Sequence, residues 1–185
     1  MAIGEDFDSV LAAARSGAEW AIAMLYRDLQ PWVLRFLRAQ APSEAEDLDS
    51  ETWLDVARGL HRFGGGEAEF RRWVFTIARR RLIDHRRAQG RRRTDPAPLE
   101  SLADRAPSGN VEEEAMARFS TEAAVALIRR LPPEQAEVVL LRVLGGFSAQ
   151  EVGRIVGKKP GTVRVLQHRA LLVLAKEISP DLVTS

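Results

Sequence analysis

The chain has no cysteine. Disulfide scaffolds and thiolate metal sites are therefore excluded, and a reducing cytoplasm is the expected home. Histidine is almost as scarce. His61, His85 and His168 stand far apart without ligand spacing, so no metal site is expected. No apolar run approaches the roughly 20 residues of a membrane-spanning helix, and no direct membrane insertion is expected. The opening stretch, Met1 to Gly17, is acidic and alanine-rich and lacks the basic-then-apolar order of a secretory signal. Strand signals are weak, because the valines fall at helical spacing among Ala, Leu, Arg and Glu. Catalytic patterns are missing too: there is no serine–histidine pair and no carboxylate cluster. Glu46 and Asp47 are adjacent, so on a helix they point apart instead of sharing a metal. No enzymatic chemistry and no cofactor is expected.

What is present is a chain of 185 residues, 45% hydrophobic and 29% charged, enough to bury one or two cores. The formal net charge of +1 hides segregation: acids gather in 44–55 and 112–114, arginines in 71–93. Separated patches suit two different partners, one basic and one acidic, although either patch taken alone reads better as a solvated helix face.

The pattern predicts an all-α protein of two small helical domains joined by a flexible linker. The first domain covers 1–88. A helical stretch from Phe7 to Ala39 has breaks expected near Gly17 and Pro31, with Phe7, Val10, Leu11 and Ala14 on one face, then Trp20, Met24, Leu25 and Leu29. Ser43-Glu44-Ala45-Glu46 reads as a capping box opening a helix to about Leu60. Gly64-Gly65-Gly66 breaks the next loop, and a helix follows over Phe70 to Arg87. Prolines, glycines and charges then replace periodic apolar residues, which marks 89–110 as the linker. The second domain, 111–185, holds helices near 111–130, 133–144, 148–156 and 160–177. Little chain follows the last of these, so no added C-terminal domain is expected.

Ser148-Ala149-Gln150-Glu151 is a second capping box. It opens a short helix that buries Val152, Ile155 and Val156. Gly157 supplies the left-handed turn, and Pro160 suits the first turn of the next helix. That helix sets Val163, Leu166, Ala170 and Leu174 on one face and Arg164, Val165, His168 and Arg169 on the other. A short helix, a glycine turn and a helix with a basic outer face form a helix-turn-helix, the device that enters a major groove. Lys158 and Lys159 suit phosphates, and Arg164 and Arg169 suit phosphates or guanine edges.

Two helices of the first domain carry opposite charge. Leu48, Trp53, Val56, Ala57 and Leu60 fill half of one wheel, while Asp47, Glu51 and Asp55 form an acidic stripe. Acids at i, i+4 and i+8 repel one another, and a basic partner surface relieves that. In the next helix Phe70, Trp73, Val74, Ile77, Ala78 and Leu82 are apolar. Arg72, Arg79 and Arg86 align opposite them, flanked by Arg80 and Arg87. Guanidinium forks suit phosphates and unstacked bases. Phe63 and Trp73 are aromatic platforms beside the glycine loop, with Trp73 read as core in preference.

Together these blocks resemble extracytoplasmic-function (ECF) sigma factors. Ala45-Glu46-Asp47-Leu48, Glu51-Thr52-Trp53, Phe70 through Arg79 and Ile83-Asp84-His85-Arg86-Arg87 are similar to the family's first domain. Leu131-Pro132-Pro133-Glu134-Gln135, Leu140-Leu141-Arg142, Gly146 through Val152, Gly161 through Arg164 and His168-Arg169-Ala170 are similar to its promoter-reading module. The resemblance implies a sigma factor that binds core RNA polymerase, through both of its largest subunits, and directs it to promoter DNA. It implies that Glu46, Asp47, Glu51 and Asp55 dock on the polymerase. It implies that Phe63, Arg72, Arg79, Arg80, Arg86 and Arg87 serve the −10 element, where a base is flipped from the melted strand. For the −35 duplex the implied contacts are Lys158, Lys159, Thr162, Arg164, Val165, His168 and Arg169. An anti-sigma factor is a further implied partner. The chain departs from the family at Arg80, where asparagine is usual, and at Val165-Leu166-Gln167, where two polar residues and leucine are commonest. Two other readings stay open: a stand-alone helix-turn-helix regulator of duplex operators, which leaves the acidic helix unexplained, and a helical enzyme acting on nucleic acid.

Overall fold

The computed structural model describes residues 3–92 and 125–178. Helix and turn fill these segments, and no strand occurs among the described residues. In chain order the helices are α1 (Phe7–Arg15), α2 (Glu19–Gln40), α3 (Ala45–Gly59), α4 (Glu67–Arg92), α5 (Pro133–Val143), α6 (Ala149–Val156) and α7 (Pro160–Ile178).

The first four helices share a core. α1 buries Phe7, Val10, Leu11 and Ala14, the face expected from their spacing. α2 buries Ala21, Leu25, Leu29, Val33, Phe36 and Leu37. Phe36 and Phe75 meet edge-on at 5.7 Å and are both fully buried, so they anchor α2 to α4. α3 packs on both α2 and α4. In the second half, α5 and α6 lie against α7. Leu140, Leu141, Val152, Val163 and Ala170 fill the space between them.

Several local expectations are corrected. Pro31 does not break α2, which runs through it. Proline removes the donor to the Arg27 carbonyl and crowds it with its ring; at this exposed position water can reach that carbonyl, and burial of Leu29 and Val33 holds the helix on the core. Trp20 and Met24 are not core; they are 58% and 42% exposed, because the buried stripe runs through Ala21 instead. No capping box forms at Ser43: Pro42–Glu44 is a 3-10 turn, and Glu46 turns away to Arg38. Ala57 is exposed, whereas Asp49 and Thr52 are buried beside Leu48 and Val56. Helix α4 outruns its expected limits at both ends, reaching past the expected start of the linker. The rest of the expected linker, and the expected helix at 111–130 up to residue 124, lie outside the described residues.

Candidate nucleic-acid interface

The helix-turn-helix is built as its residues dictate. Ser148 Oγ accepts from the Glu151 backbone N–H at 3.2 Å, and the Glu151 carboxylate accepts from the Ser148 N–H at 2.8 Å. Hydrogen bonds from Ser148, followed by the nearby charges of Arg72 and Arg154, hold the Glu151 carboxyl below its usual range. Gly157 ends α6 at φ 71°, a left-handed conformation that suits glycine. Gly153 is needed for space: a Cβ there would sit 2.5 Å from the Lys158 carbonyl oxygen. Arg142 on α5 clamps the unit, donating to the Phe147 carbonyl and, at 3.2 Å, to Gln167 on α7.

On α7, Val163 and Ala170 face the core, and Thr162, Arg164, Val165, His168 and Arg169 stand on the exposed side. Lys159 is exposed just ahead of α7. Lys158 is drawn back, its ammonium 2.9 Å from Glu134. This face therefore gathers six of the seven expected duplex contacts in the open, with Lys158 at its edge.

The arginine face of α4 is less free than its sequence implied. Arg79 pairs with Glu137 of α5 through two hydrogen bonds of 2.9 and 3.3 Å. Arg80 donates to Asp55 at 2.9 Å, and Arg86 donates to Gln40 at 3.2 Å. Arg87 lies 3.9 Å from Asp84 and stays exposed, and Arg72 is half-buried. Phe63 stacks on Trp73 at 5.0 Å and meets Phe70 edge-on at 5.4 Å. Trp73 in turn covers Gly59, where a Cβ would lie 2.7 Å from its ring. The two aromatics form one half-buried platform at the end of the glycine loop.

The acidic stripe finds its relief inside the chain. Asp55 is bridged by Arg80 and Arg81, with Arg58 at 3.5 Å, and Glu51 lies 3.4 Å from Arg81. Burial pushes the Asp55 carboxyl up, but hydrogen bonds and charge from Arg81 and Arg80 outweigh it and leave it below its usual range. Glu46 is held low mainly by its hydrogen bond from Arg38. Asp47 is exposed and enters none of these ion pairs. Arg81 was not singled out from the sequence, because its role needs the crossing of α3 over α4, which no local pattern shows. Glu137 was missed for the same reason.

Among the described residues no group of His, Asp and Glu is placed to hold a metal. No helix among them is long and apolar enough to cross a membrane.

Comparison with known proteins gives two family matches. The sigma-70 region 2 model matches residues 25–92, and the sigma-70 region 4 model matches residues 121–174. The chain is 34% identical to the ECF RNA polymerase sigma factor BldN of Streptomyces coelicolor over 170 residues, which are 91% of this chain and 64% of that protein. It is also 34% identical to the ECF RNA polymerase sigma factor SigD of Mycobacterium tuberculosis over 182 residues, which are 95% of this chain and 85% of that one. It thus spans just under two thirds of the first relative and most of the second. Its fold is similar to that of the sigma factor RpoE in a co-crystal with the anti-sigma factor NepR from Bartonella quintana. The TM-score there is 0.64 at 22% identity, covering 88% of this chain and 97% of the other.

Proposed function

We propose, from the premise that this chain belongs to the sigma-70 family as an ECF sigma factor, that it recruits core RNA polymerase and reads promoters with two separate surfaces. Residues 1–88 serve polymerase docking and the −10 element, and 111–185 serve the −35 element. Residues 89–110 form the proposed linker between them. The protein acts in the cytoplasm and performs no chemistry of its own. An anti-sigma factor that holds it inactive belongs to the same proposal.

One observation supports this above the others: an arginine-faced helix beside an aromatic platform shares a chain with a capped helix-turn-helix whose basic side is open. The first surface suits single strands, where stacking contributes about 1–3 kcal/mol per base and offsets the few kcal/mol that flipping costs. The second suits duplex. A stand-alone operator-binding regulator needs only the second. Asp47 and Glu51, with Glu46 and Asp55 beside them, are the proposed polymerase contacts.

Reconstitution tests this directly. Purified chain and core polymerase are incubated with genomic DNA fragments, and the 5′ ends of the transcripts are sequenced. Starts downstream of a shared pair of motifs are expected only when both proteins are present. Failure to bind core polymerase would sink the proposal and return the chain to the operator-binding reading.

A further inference from the structure

The residues ahead of α1 return to the start of α4. The Ile3 backbone N–H donates to Glu67 Oε1 at 2.7 Å, and the Gly4 N–H donates to Glu67 Oε2 at 3.3 Å. Ile3 is right-handed, at φ −70°, and Gly4 is left-handed, at φ 69°. That change of hand turns successive N–H groups to one side and makes a nest for an anion. Here the anion is a side chain 63 residues beyond Gly4. Glu67 is the first residue of α4, where a carboxylate is already favoured by the free N–H groups of its own helix. Both of its oxygens nonetheless engage the segment before α1.

This tether lies directly behind the aromatic platform. Phe7, the first residue of α1, meets Phe70 at 5.8 Å, and both rings are buried. Phe70 in turn meets Phe63 at 5.4 Å and Trp73 at 5.9 Å. The loop that leads from Phe63 into α4 is Gly64-Gly65-Gly66, which brings the greatest backbone freedom and no side chain to restrain it. Gly65 sits at φ 146°, and a Cβ there would lie 2.9 Å from the Glu69 Cβ and 3.3 Å from the Phe63 ring. The loop is thus laid against the first turn of α4, so whatever fixes that turn also fixes Phe63.

We propose that Glu67 is a positioning residue for single-strand recognition: seated in the Ile3–Gly4 nest, it holds the first turn of α4 and with it the Phe63–Trp73 platform on which a flipped base stacks. The DNA part of this inference rests on the function proposed above. The tether itself does not. A flipped base is read by hydrogen bonds and stacking in a fitted pocket, whereas attraction to phosphates is far less exacting in geometry. A platform that drifts therefore loses selectivity among bases before it loses hold of the strand.

Two measurements test this. In the first, the full chain carries fluorotryptophan, and the Trp73 fluorine line is identified from Trp73→Phe. Glu67→Ala and Gly4→Ala should each shift or broaden that line, because the Phe63 ring stacked on Trp73 moves. Gly4 is exposed with open space around it, so Gly4→Ala disturbs only the left-handed turn, and it keeps the test valid if Glu67→Ala misfolds. An unmoved line in both variants overturns the tether.

In the second, the chain is assembled with core polymerase on a promoter fragment recovered by the reconstitution above. Binding is measured with each base in turn at every −10 and −35 position. Glu67→Ala and Gly4→Ala should each lower the preference at one −10 position by about fivefold and leave the −35 preferences alone. Glu67→Gln keeps one acceptor oxygen and should fall between Glu67→Ala and wild type. Because both changes break one tether, combining Gly4→Ala with Glu67→Ala should cost no more than Glu67→Ala by itself. Unchanged −10 preference, or equal loss at −10 and −35 from a general weakening of the fold, overturns the positioning role. A wild-type chain that assembles with no polymerase counts against the proposed function alone, because the fluorine line needs neither polymerase nor DNA.

Discussion

Asp55 Oδ2 lies 2.8 Å from Arg81 Nε and 2.6 Å from Arg81 Nη2, so one carboxylate oxygen receives both arms of one guanidinium. The residue the sequence offered as a polymerase contact is thus also the bolt between α3 and α4. Its side chain is 13% exposed, while Glu51, one turn earlier, is 54% exposed. The acidic stripe therefore has a structural end and an open end. Asp55→Asn should lower stability by about 1–2 kcal/mol, because it weakens charge-assisted hydrogen bonds and strands two arginines. Asp47→Lys with Glu51→Lys should leave the urea midpoint nearly unchanged and weaken core-polymerase binding by about tenfold. Equal loss of stability in both variants would remove the distinction.

The exposed face of α7 divides by position. Arg164 stands near the N-terminal end of the helix, the part that reaches base edges in this motif, and Arg169 stands one and a half turns later. Arg164→Ala should cost about 1–3 kcal/mol on the preferred duplex and relax selection at one base pair. Arg169→Ala should weaken all duplexes alike and reduce the slope of log affinity against log salt by about 1. Titrations at several salt concentrations on matched and scrambled duplexes separate the two. The reverse pattern would exchange the roles.

These assignments show where sequence reading succeeds and where it stops. The capped α6, the Gly157 turn and the buried side of α7 are local features, set within a few residues by capping chemistry and 3.6-residue spacing. Such features are legible one segment at a time. The Ser43 capping box had the same letters and did not form, because Arg38, on α2, takes Glu46 instead. The arginines of α4 show the same limit. Spacing placed them on one face, but their partners Asp55 and Glu137 lie 25 and 58 residues away along the chain. Phe75 was not read as core, because its two ring partners, Phe36 and Phe147, come from different halves.

Asp49 gives a pH prediction. It is 5% exposed; Gln30 donates to its Oδ2 at 3.1 Å, and the Trp53 indole N–H also favours its ionised form. Burial raises its carboxyl above the usual range, more than its hydrogen bonds lower it. A carboxyl whose folded value exceeds its unfolded one destabilises the fold when ionised. That penalty is complete above the folded value and fades as pH falls toward the unfolded value of about 3.9. Asp49→Asn should therefore melt higher than wild type at pH 7, with the difference shrinking toward pH 4. Asp55 and Glu46 shift the opposite way, so absolute stability falls on acidification, and the comparison must be made between the two proteins at each pH. A constant difference across this range would show that the Asp49 carboxyl is not raised in the fold, and that the gain in Asp49→Asn has another cause.

The turn of the helix-turn-helix orders three substitutions by physical cause. Ser148→Ala removes one side of the capping box and should cost about 1 kcal/mol. Gly157→Ala forces a Cβ into the left-handed region, at φ 71°, and should cost about 1–2 kcal/mol. Gly153→Ala is different in kind. The obstacle is the Lys158 backbone carbonyl at 2.5 Å, which cannot swing aside as a side chain can. α6 must then move away from the start of α7, at a cost of about 2–3 kcal/mol. That movement also changes the angle at which Arg164 is presented. Gly153→Ala should therefore weaken duplex binding beyond what its lost stability explains, even at temperatures where it is fully folded. Ser148→Ala should not, since its cap can fray without displacing α7. Thermal melts and duplex titrations at 15 °C, with all three variants side by side, check both orders. Equal duplex affinity for folded Gly153→Ala and wild type would mean that α7 is held by Arg142 and the core of the second half, and not by the turn.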